Sequence, residues 1–319
     1  MTFTLNQHYQ APTLLHWQGR TGSHDAKRMH QAIQIIDLNC QFLEDRSNKG
    51  LVLIGFSCDE GVKRNLGRIG ASSAPSALRT QLAKLPYLGE LALYDVGNIQ
   101  CINGDLESAQ AALAHLVQHC HELGHKTLVL GGGHETAWGH YLGLKKKHQA
   151  LSIINFDAHF DLRQSEQSTS GTPFLQIAND KKNLGQSFNY FCYGIQKTAN
   201  TNDLFQTAQR LNVSFLYASD IISSFSNHQS LLIDDFISRA SSLYVSICMD
   251  VFNACVAPGV SAPAPLGLMP WHVMPILNQL FNSKKVVSID IVELSPPFDK
   301  DEVTARLASS LAAEIIYSL

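Results

Sequence analysis

Residues 151–161 read LSIINFDAHFD. The first six positions are largely apolar and do not alternate with polar ones. Such a run fits a strand covered on both faces, as strands of a parallel sheet are. Asp157 ends the run, and His159 and Asp161 follow at alternate positions. If the chain stays extended there, all three side chains project to one side. Similar runs recur at LVLIGF (51–56), LALYDV (91–96), TLVLGG (127–132), FNYFCYG (188–194), VSFLYA (213–218), LYVSICMD (243–250) and KVVSIDIV (285–292). Helical patterns stand between many of them. DLESAQAALAHLVQHCHELG has Asp105 to cap its start and Gly124 to stop it. Another helix begins near Ser73–Ala74–Pro75, with proline in the first turn. PWHVMPILNQLF (270–281) and EVTARLASSLAAEIIYSL (302–319) complete the set. Strands alternating with helices imply crossover connections. The pattern predicts an α/β fold of three layers, α/β/α, around a mainly parallel, roughly eight-stranded sheet. No repeat, low-complexity tract or Pro/Gly/Ser linker divides the chain, so 1–319 reads as a single domain.

Composition narrows the function. Hydrophobic residues make up 45% and charged residues 16%, as in a globular protein with much buried sheet. A net charge of −3 with no basic block lacks the electrostatic footprint of a nucleic-acid binder. Lys145, Lys146 and Lys147 read as the solvated end of a helix. No stretch approaches the roughly 18 apolar residues of a membrane span, and residues 1–20 contain no signal-peptide core. Seven cysteines at irregular spacing do not make a disulfide framework. These features predict a cytoplasmic, reduced protein with neither nucleic-acid nor membrane partners.

In parallel sheets, ligands bind beyond the carboxyl ends of the strands. After TLVL comes GGGHE, which places His134 past a glycine turn. LSIINF is followed by Asp157, His159 and Asp161; LYVSICMD delivers Cys248 and Asp250; KVVSIDIV delivers Glu293. Taken singly, these read as a helix-start histidine, an N-cap and a surface acid. Together, carboxylates and imidazoles leave four strands at one edge, where they would repel unless a positive charge sat among them. A divalent metal pair supplies it, and mixed imidazole and oxygen donors suit Mn²⁺, Zn²⁺ or Fe²⁺.

These segments resemble those of the ureohydrolase family, which comprises arginases, agmatinases and formimidoylglutamases. The family's GG-x-H turn, D-A-H-x-D segment, S-x-D-x-D segment and late glutamate appear here as GGGHE, DAHFD, SICMD and SIDIVE, in that order. GVKRNLGRIGASSAPSALR upstream also matches, so the resemblance spans nearly the whole chain. It implies an arginase-like fold and two Mn²⁺ ions. His134, Asp157 and Asp161 would hold one ion; Asp157, His159 and Asp250 would hold the other. Glu293 matches the acid that holds the substrate's guanidinium or amidinium. Cys248 stands where the family's first S-x-D-x-D aspartate bridges the metals. As a thiolate it would bind or bridge and tilt preference towards Zn²⁺ or Fe²⁺; as a neutral packed thiol it would leave one ion weakly held.

Within the family, Glu135 after the histidine and STSGTPF (168–174) resemble the formimidoylglutamase branch. Ser170 stands where arginases carry a proton-shuttling histidine. That branch implies hydrolysis of N-formimidoyl-L-glutamate to L-glutamate and formamide, a step of histidine degradation. Its substrate has two carboxylates, for which arginine's planar fork is suited. Arg163, Arg68 and Asn65 are candidate anchors, with Ser170 and Thr172 beside them. Asp161 would take the proton of the attacking water. A urea-releasing guanidino-acid hydrolase and a non-catalytic metal-binding relative are the alternatives. The resemblance also implies a homo-oligomer, trimer or hexamer.

Overall fold

The computed structural model describes residues 7–20, 27–41, 43, 48–223 and 227–319. The first six residues of the stretch read above for a targeting signal lie outside these. Each of the eight apolar runs becomes a strand. They are β3 Gly50–Ser57, β4 Ala92–Gln100, β5 Lys126–Leu130, β6 Leu151–Phe156, β7 Tyr190–Ile195, β8 Ser214–Tyr217, β9 Ser242–Cys248 and β10 Val286–Val292. Two strands escaped the sequence reading: β1, Tyr9–Gln10, and β2, Ile33–Ile35, both paired with β4. At two and three residues they are too short to show a period.

The main path of the sheet runs β1-β4-β3-β5-β10-β9-β6-β7-β8. Every pairing is parallel except β1 with β4. Successive residues of the inner strands enter opposite cores, which is why their sequences do not alternate. Leu51, Leu53, Leu128, Leu130, Val245 and Ile289 meet one core, together with the helices Ala74–Leu82, Pro270–Asn282 and Val303–Ser318. Val52, Ile54, Val129 and Tyr244 meet the other, under Leu106–Glu122, Thr136–Leu144 and Pro173–Asn183. The result is the three-layer arrangement.

Local signals set the helix ends. Asp105 accepts a hydrogen bond from the Ser108 amide (3.1 Å), and Gly124 leaves the same helix at φ +88°. Thr136–Leu144 was not legible, because burial on nearly every side leaves it no polar face. Among the described residues, no helix is long and apolar enough to cross a membrane.

The order of the sheet builds the site. β5, β10, β9 and β6 are consecutive at its centre. Their carboxyl ends stand side by side at about 4.8 Å spacing, so residues leaving them share one crevice.

Candidate metal centre

The glycine turn after β5 brings His134 to the crevice. A Cβ on Gly132 would lie 1.7 Å from the Cys58 carbonyl oxygen, so no other residue fits that backbone. Glu293, just past β10, donates its amide to the Gly132 carbonyl (2.8 Å) and accepts the His134 amide through Oε1 (2.8 Å). The ends of β5 and β10 are thereby fastened together. The stretch after β6 is not extended, contrary to the expectation from alternate spacing. It turns, with the His159 amide on Asp157 Oδ1 (2.7 Å) and Asp161 at φ +48°. Asp250 likewise lies on a 3-10 turn, Met249–Val251, beyond the end of β9. Asp161 and Glu293 (φ +66°) both occupy the left-handed region. Such backbone costs of order 1–3 kcal/mol and persists where the surroundings over-determine it, commonly at functional sites.

The turns bring all the candidate ligands together. His134 Nδ1 lies 2.9 Å from Asp157 Oδ2 and 2.9 Å from Asp161 Oδ2. His159 Nδ1 lies 3.3 Å from Asp157 Oδ1 and 3.1 Å from Asp250 Oδ2. One donor atom each from His134, Asp157 and Cys248 lie within 4.8 Å of one another, as do donors from Asp157, His159 and Asp250. Asp157 belongs to both groups.

The donor set fits a pair of cations. His134 Nδ1 and Asp250 Oδ1 are buried without a hydrogen-bond partner. Nδ1 stands between two carboxylate oxygens, each 2.9 Å away. Burial followed by the charge of Asp157 raises the carboxyls of Asp161 and Asp250 above their usual range. Burial, then Glu135 and Asp250, pushes Glu293 well up. Burial also opposes charge on His134, but Asp157 and Asp161 outweigh it and hold the imidazole well above its usual value. His159 is raised the same way by Asp250 and Asp157. The acids are short of positive charge and draw protons to make up the deficit; divalent cations would remove it.

A second layer orients these groups. His134 Nε2 meets Ser246 Oγ at 2.9 Å, and Ser246 donates to Asp290 Oδ1 at 2.6 Å. Asp290 Oδ2 also accepts from His140 Nδ1 (2.8 Å) and from the Tyr244 hydroxyl. Nε2 is thus occupied, and Nδ1 faces the crevice. Asn155 Nδ2 donates to Asp157 Oδ2 (3.1 Å). Glu135 is buried, and its Oε1 accepts the Gly61 amide (3.1 Å), anchoring the helix Glu60–Arg64 that leads to Asn65. Burial raises the Glu135 carboxyl to about 7. The sequence reading missed Ser246, Asp290, Tyr244 and His140. For Ser246, Tyr244 and Asp290 the signal was a hydrogen-bonding side chain inside an otherwise apolar strand; His140, on the buried helix Thr136–Leu144, had none.

A cavity of about 320 Å³ opens over the cluster. His134, His159, Asp161, Cys248, Asp250 and Glu293 line it, together with Asn65, Arg68, Arg163 and Ser170. Leu66 and Gly67, with Ser261 and Ala262 from the loop 253–268, complete its wall. Arg68 is held by backbone carbonyls, Nε to Ser261 (3.0 Å) and Nη2 to Val260 (2.6 Å), over the Phe298 ring at 4.1 Å. Among the described residues no acid pairs with Arg68 or Arg163. Asn65 Nδ2 donates to Ser170 Oγ (3.2 Å), which ties two walls together. Thr172 stands apart from this cavity. Its hydroxyl donates to the Thr169 carbonyl (3.0 Å) at the start of the helix Pro173–Asn183.

Known proteins resemble this chain over nearly its whole length. The formimidoylglutamase of Legionella pneumophila (strain Lens) is 46% identical over 303 residues, covering 94% of each chain. That of Chromobacterium violaceum is 42% identical over 306 residues, covering 93% of this chain and 95% of its own. The crystal structure of Bacillus subtilis formimidoylglutamase shares the fold at TM-score 0.82, with 22% identity and 94% of each chain covered. A Trypanosoma cruzi formiminoglutamase variant, solved with Mn²⁺, superposes at TM-score 0.77 with 25% identity, covering 88% of this chain and 95% of that one. The arginase family model matches residues 49–317, and the chain belongs to the arginase family.

Proposed function

We propose that this protein hydrolyses N-formimidoyl-L-glutamate to L-glutamate and formamide, with manganese as its cofactor. The observation that carries this reading is the mixed charge of the cavity. Two buried acids (Asp250 and Glu293), the partly exposed Asp161, and two guanidiniums that form no ion pair among the described residues (Arg68 and Arg163) line the same space. The substrate has the matching charges, one amidinium and two carboxylates. Agmatine has no carboxylate and would leave both arginines unanswered. The relatives named formimidoylglutamase at 46% and 42% identity support the same substrate.

His134, Asp157 and Asp161 would hold one ion, within reach of Cys248; Asp157, His159 and Asp250 would hold the second. When bound, such ions supply Lewis acidity and make water acidic enough to act as a nucleophile near neutral pH. The protein's own groups do the rest. Glu293 accepts the amidinium N–H groups and orients the formimidoyl carbon. Asp161, at the cavity wall, takes a proton from the attacking water. Arg163 and Arg68 bind the carboxylates, and Asn65 with Ser170 holds the two loops against the substrate. Collapse of the tetrahedral intermediate breaks the bond to the glutamate nitrogen, which takes up a proton and leaves as the amine.

The test is product identity. Mn²⁺-loaded protein should release formamide from N-formimidoyl-L-glutamate and no urea from arginine, agmatine or guanidino acids. Urea release without formamide would replace this reading with a guanidino-acid hydrolase. Folded, metal-loaded protein inactive on every substrate would leave a metal-binding relative without catalysis.

A further inference from the structure

Cys248 is the last residue of β9 and is 1% exposed. Ser246 lies two residues earlier, so both side chains leave the same face of the strand. Ser246 meets the Nε2 side of the His134 ring at 2.9 Å. Cys248 stands one pleat further on, and its sulfur, a His134 ring nitrogen and an Asp157 oxygen lie within 4.8 Å of one another. Two buried atoms of the same cluster, His134 Nδ1 and Asp250 Oδ1, have no hydrogen-bond partner of ordinary geometry. A free cysteine packed for its apolar character usually sits among hydrocarbon. Here burial and the charges of Asp157, Asp250 and Glu293 hold the thiol well above its usual range, so a cation is needed to draw its proton off.

We propose that Cys248 is a sulfur ligand of the ion held by His134 and Asp157, and that the two metal positions therefore differ in the ions they prefer. The inference rests on the metal-centre reading above. The position of Asp157, His159 and Asp250 offers only nitrogen and oxygen, which suits Mn²⁺. The position of His134, Asp157 and Cys248 adds a soft sulfur, which favours Zn²⁺, Fe²⁺ or Co²⁺. Binding forms a metal–sulfur bond, breaks the S–H bond and releases one proton to solvent per ion; nothing is oxidised or reduced. The site prefers an unlike pair of ions.

The experiment is Co²⁺ titration of the metal-free full-length protein, followed by absorption. Sulfur-bound Co²⁺ gives a thiolate-to-metal charge-transfer band in the near ultraviolet, and bound Co²⁺ of any ligation gives weaker visible d–d bands. Wild type should show both. Cys248→Ser and Cys248→Asp should keep the visible bands and lose the charge-transfer band. Visible bands in wild type without the charge-transfer band would overturn the sulfur ligand and leave the metal centre standing. Folded wild type with no Co²⁺ spectrum would overturn the metal-centre reading and this proposal with it. Zn²⁺ against Mn²⁺ competition gives a second readout: Cys248→Asp, with a hard oxygen donor, should move preference towards Mn²⁺ by about tenfold or more. Unchanged preference would overturn the claim of unlike positions even if sulfur binds.

Discussion

Replacing Asp290 with asparagine keeps the shape of the side chain while removing its charge and one acceptor. Three donors converge on this carboxylate: the Ser246 hydroxyl on Oδ1, and His140 Nδ1 and the Tyr244 hydroxyl on Oδ2. An amide has a single acceptor oxygen. If it serves His140 and Tyr244, its NH₂ group faces Ser246, whose proton then loses its acceptor in a buried place. A lost hydrogen bond to a charged group costs about 1.5–3 kcal/mol of stability. The same bond polarises Ser246 towards His134 Nε2, 2.9 Å away, and through the ring strengthens Nδ1 as a donor. Losing such an outer partner weakens metal affinity by about 10–100-fold, or about 1.4–2.7 kcal/mol. Asp290→Asn should therefore show two effects of similar size. One is read from thermal unfolding of the metal-free protein, the other from Mn²⁺ competition against a fluorescent chelator. A variant that melts earlier yet binds Mn²⁺ within about twofold of wild type would refute the link. The network would then brace the core without orienting the ligand.

Asp161→Ala should lower formamide release by about 10²–10⁴-fold, the usual contribution of a positioned base; full turnover would remove Asp161 from that role. Arg163→Ala should raise KM for N-formimidoyl-L-glutamate by about tenfold or more, the worth of a charge-assisted hydrogen bond, while metal content by elemental analysis stays unchanged. An unaltered KM would take Arg163 out of substrate binding. Glu135, raised by burial from 4.5 to about 7, binds its proton more tightly in the folded chain than in the unfolded one. Its contribution to stability is therefore full below pH 4.5 and is lost as pH rises to about 7. Glu135→Gln cannot titrate, so the gap in unfolding free energy between variant and wild type, measured on metal-free protein, should change in the variant's favour by roughly 3 kcal/mol across that window. A gap that does not change with pH would contradict the buried, raised carboxyl.

The sequence made some parts of this molecule plain and concealed others, each for a physical reason. Strands such as Leu151–Phe156 and Ser242–Cys248 are buried at every position, so each shows as a mainly apolar, non-alternating run with an acid one or two residues past its end. That ending is what betrayed Asp157 and Asp250. Spacing alone misjudged the backbone beyond them, because alternate projection applies only while a chain stays pleated. Asp161 turns through φ +48° and Asp250 leaves the strand on a 3-10 turn, yet both reach the cluster. Arginine as a residue type identified Arg68 as a candidate anchor, but not the carbonyls of Val260 and Ser261 that fix it. Those carbonyls are nearly two hundred residues away in the chain, and only the fold brings them near. The supporting network had a signal of its own. A strand buried on both faces has no water for a polar side chain, so each polar residue in it requires a protein partner. Thr127 in β5, Ser246 in β9, and Ser288 and Asp290 in β10 break otherwise apolar runs in three adjacent strands. Their partners prove to be one another and His140: Thr127 with Ser288, Ser288 with His140, His140 with Asp290, and Asp290 with Ser246. Polar residues inside buried strands thus mark the network behind this cluster as surely as the acids at the strand ends mark the cluster itself.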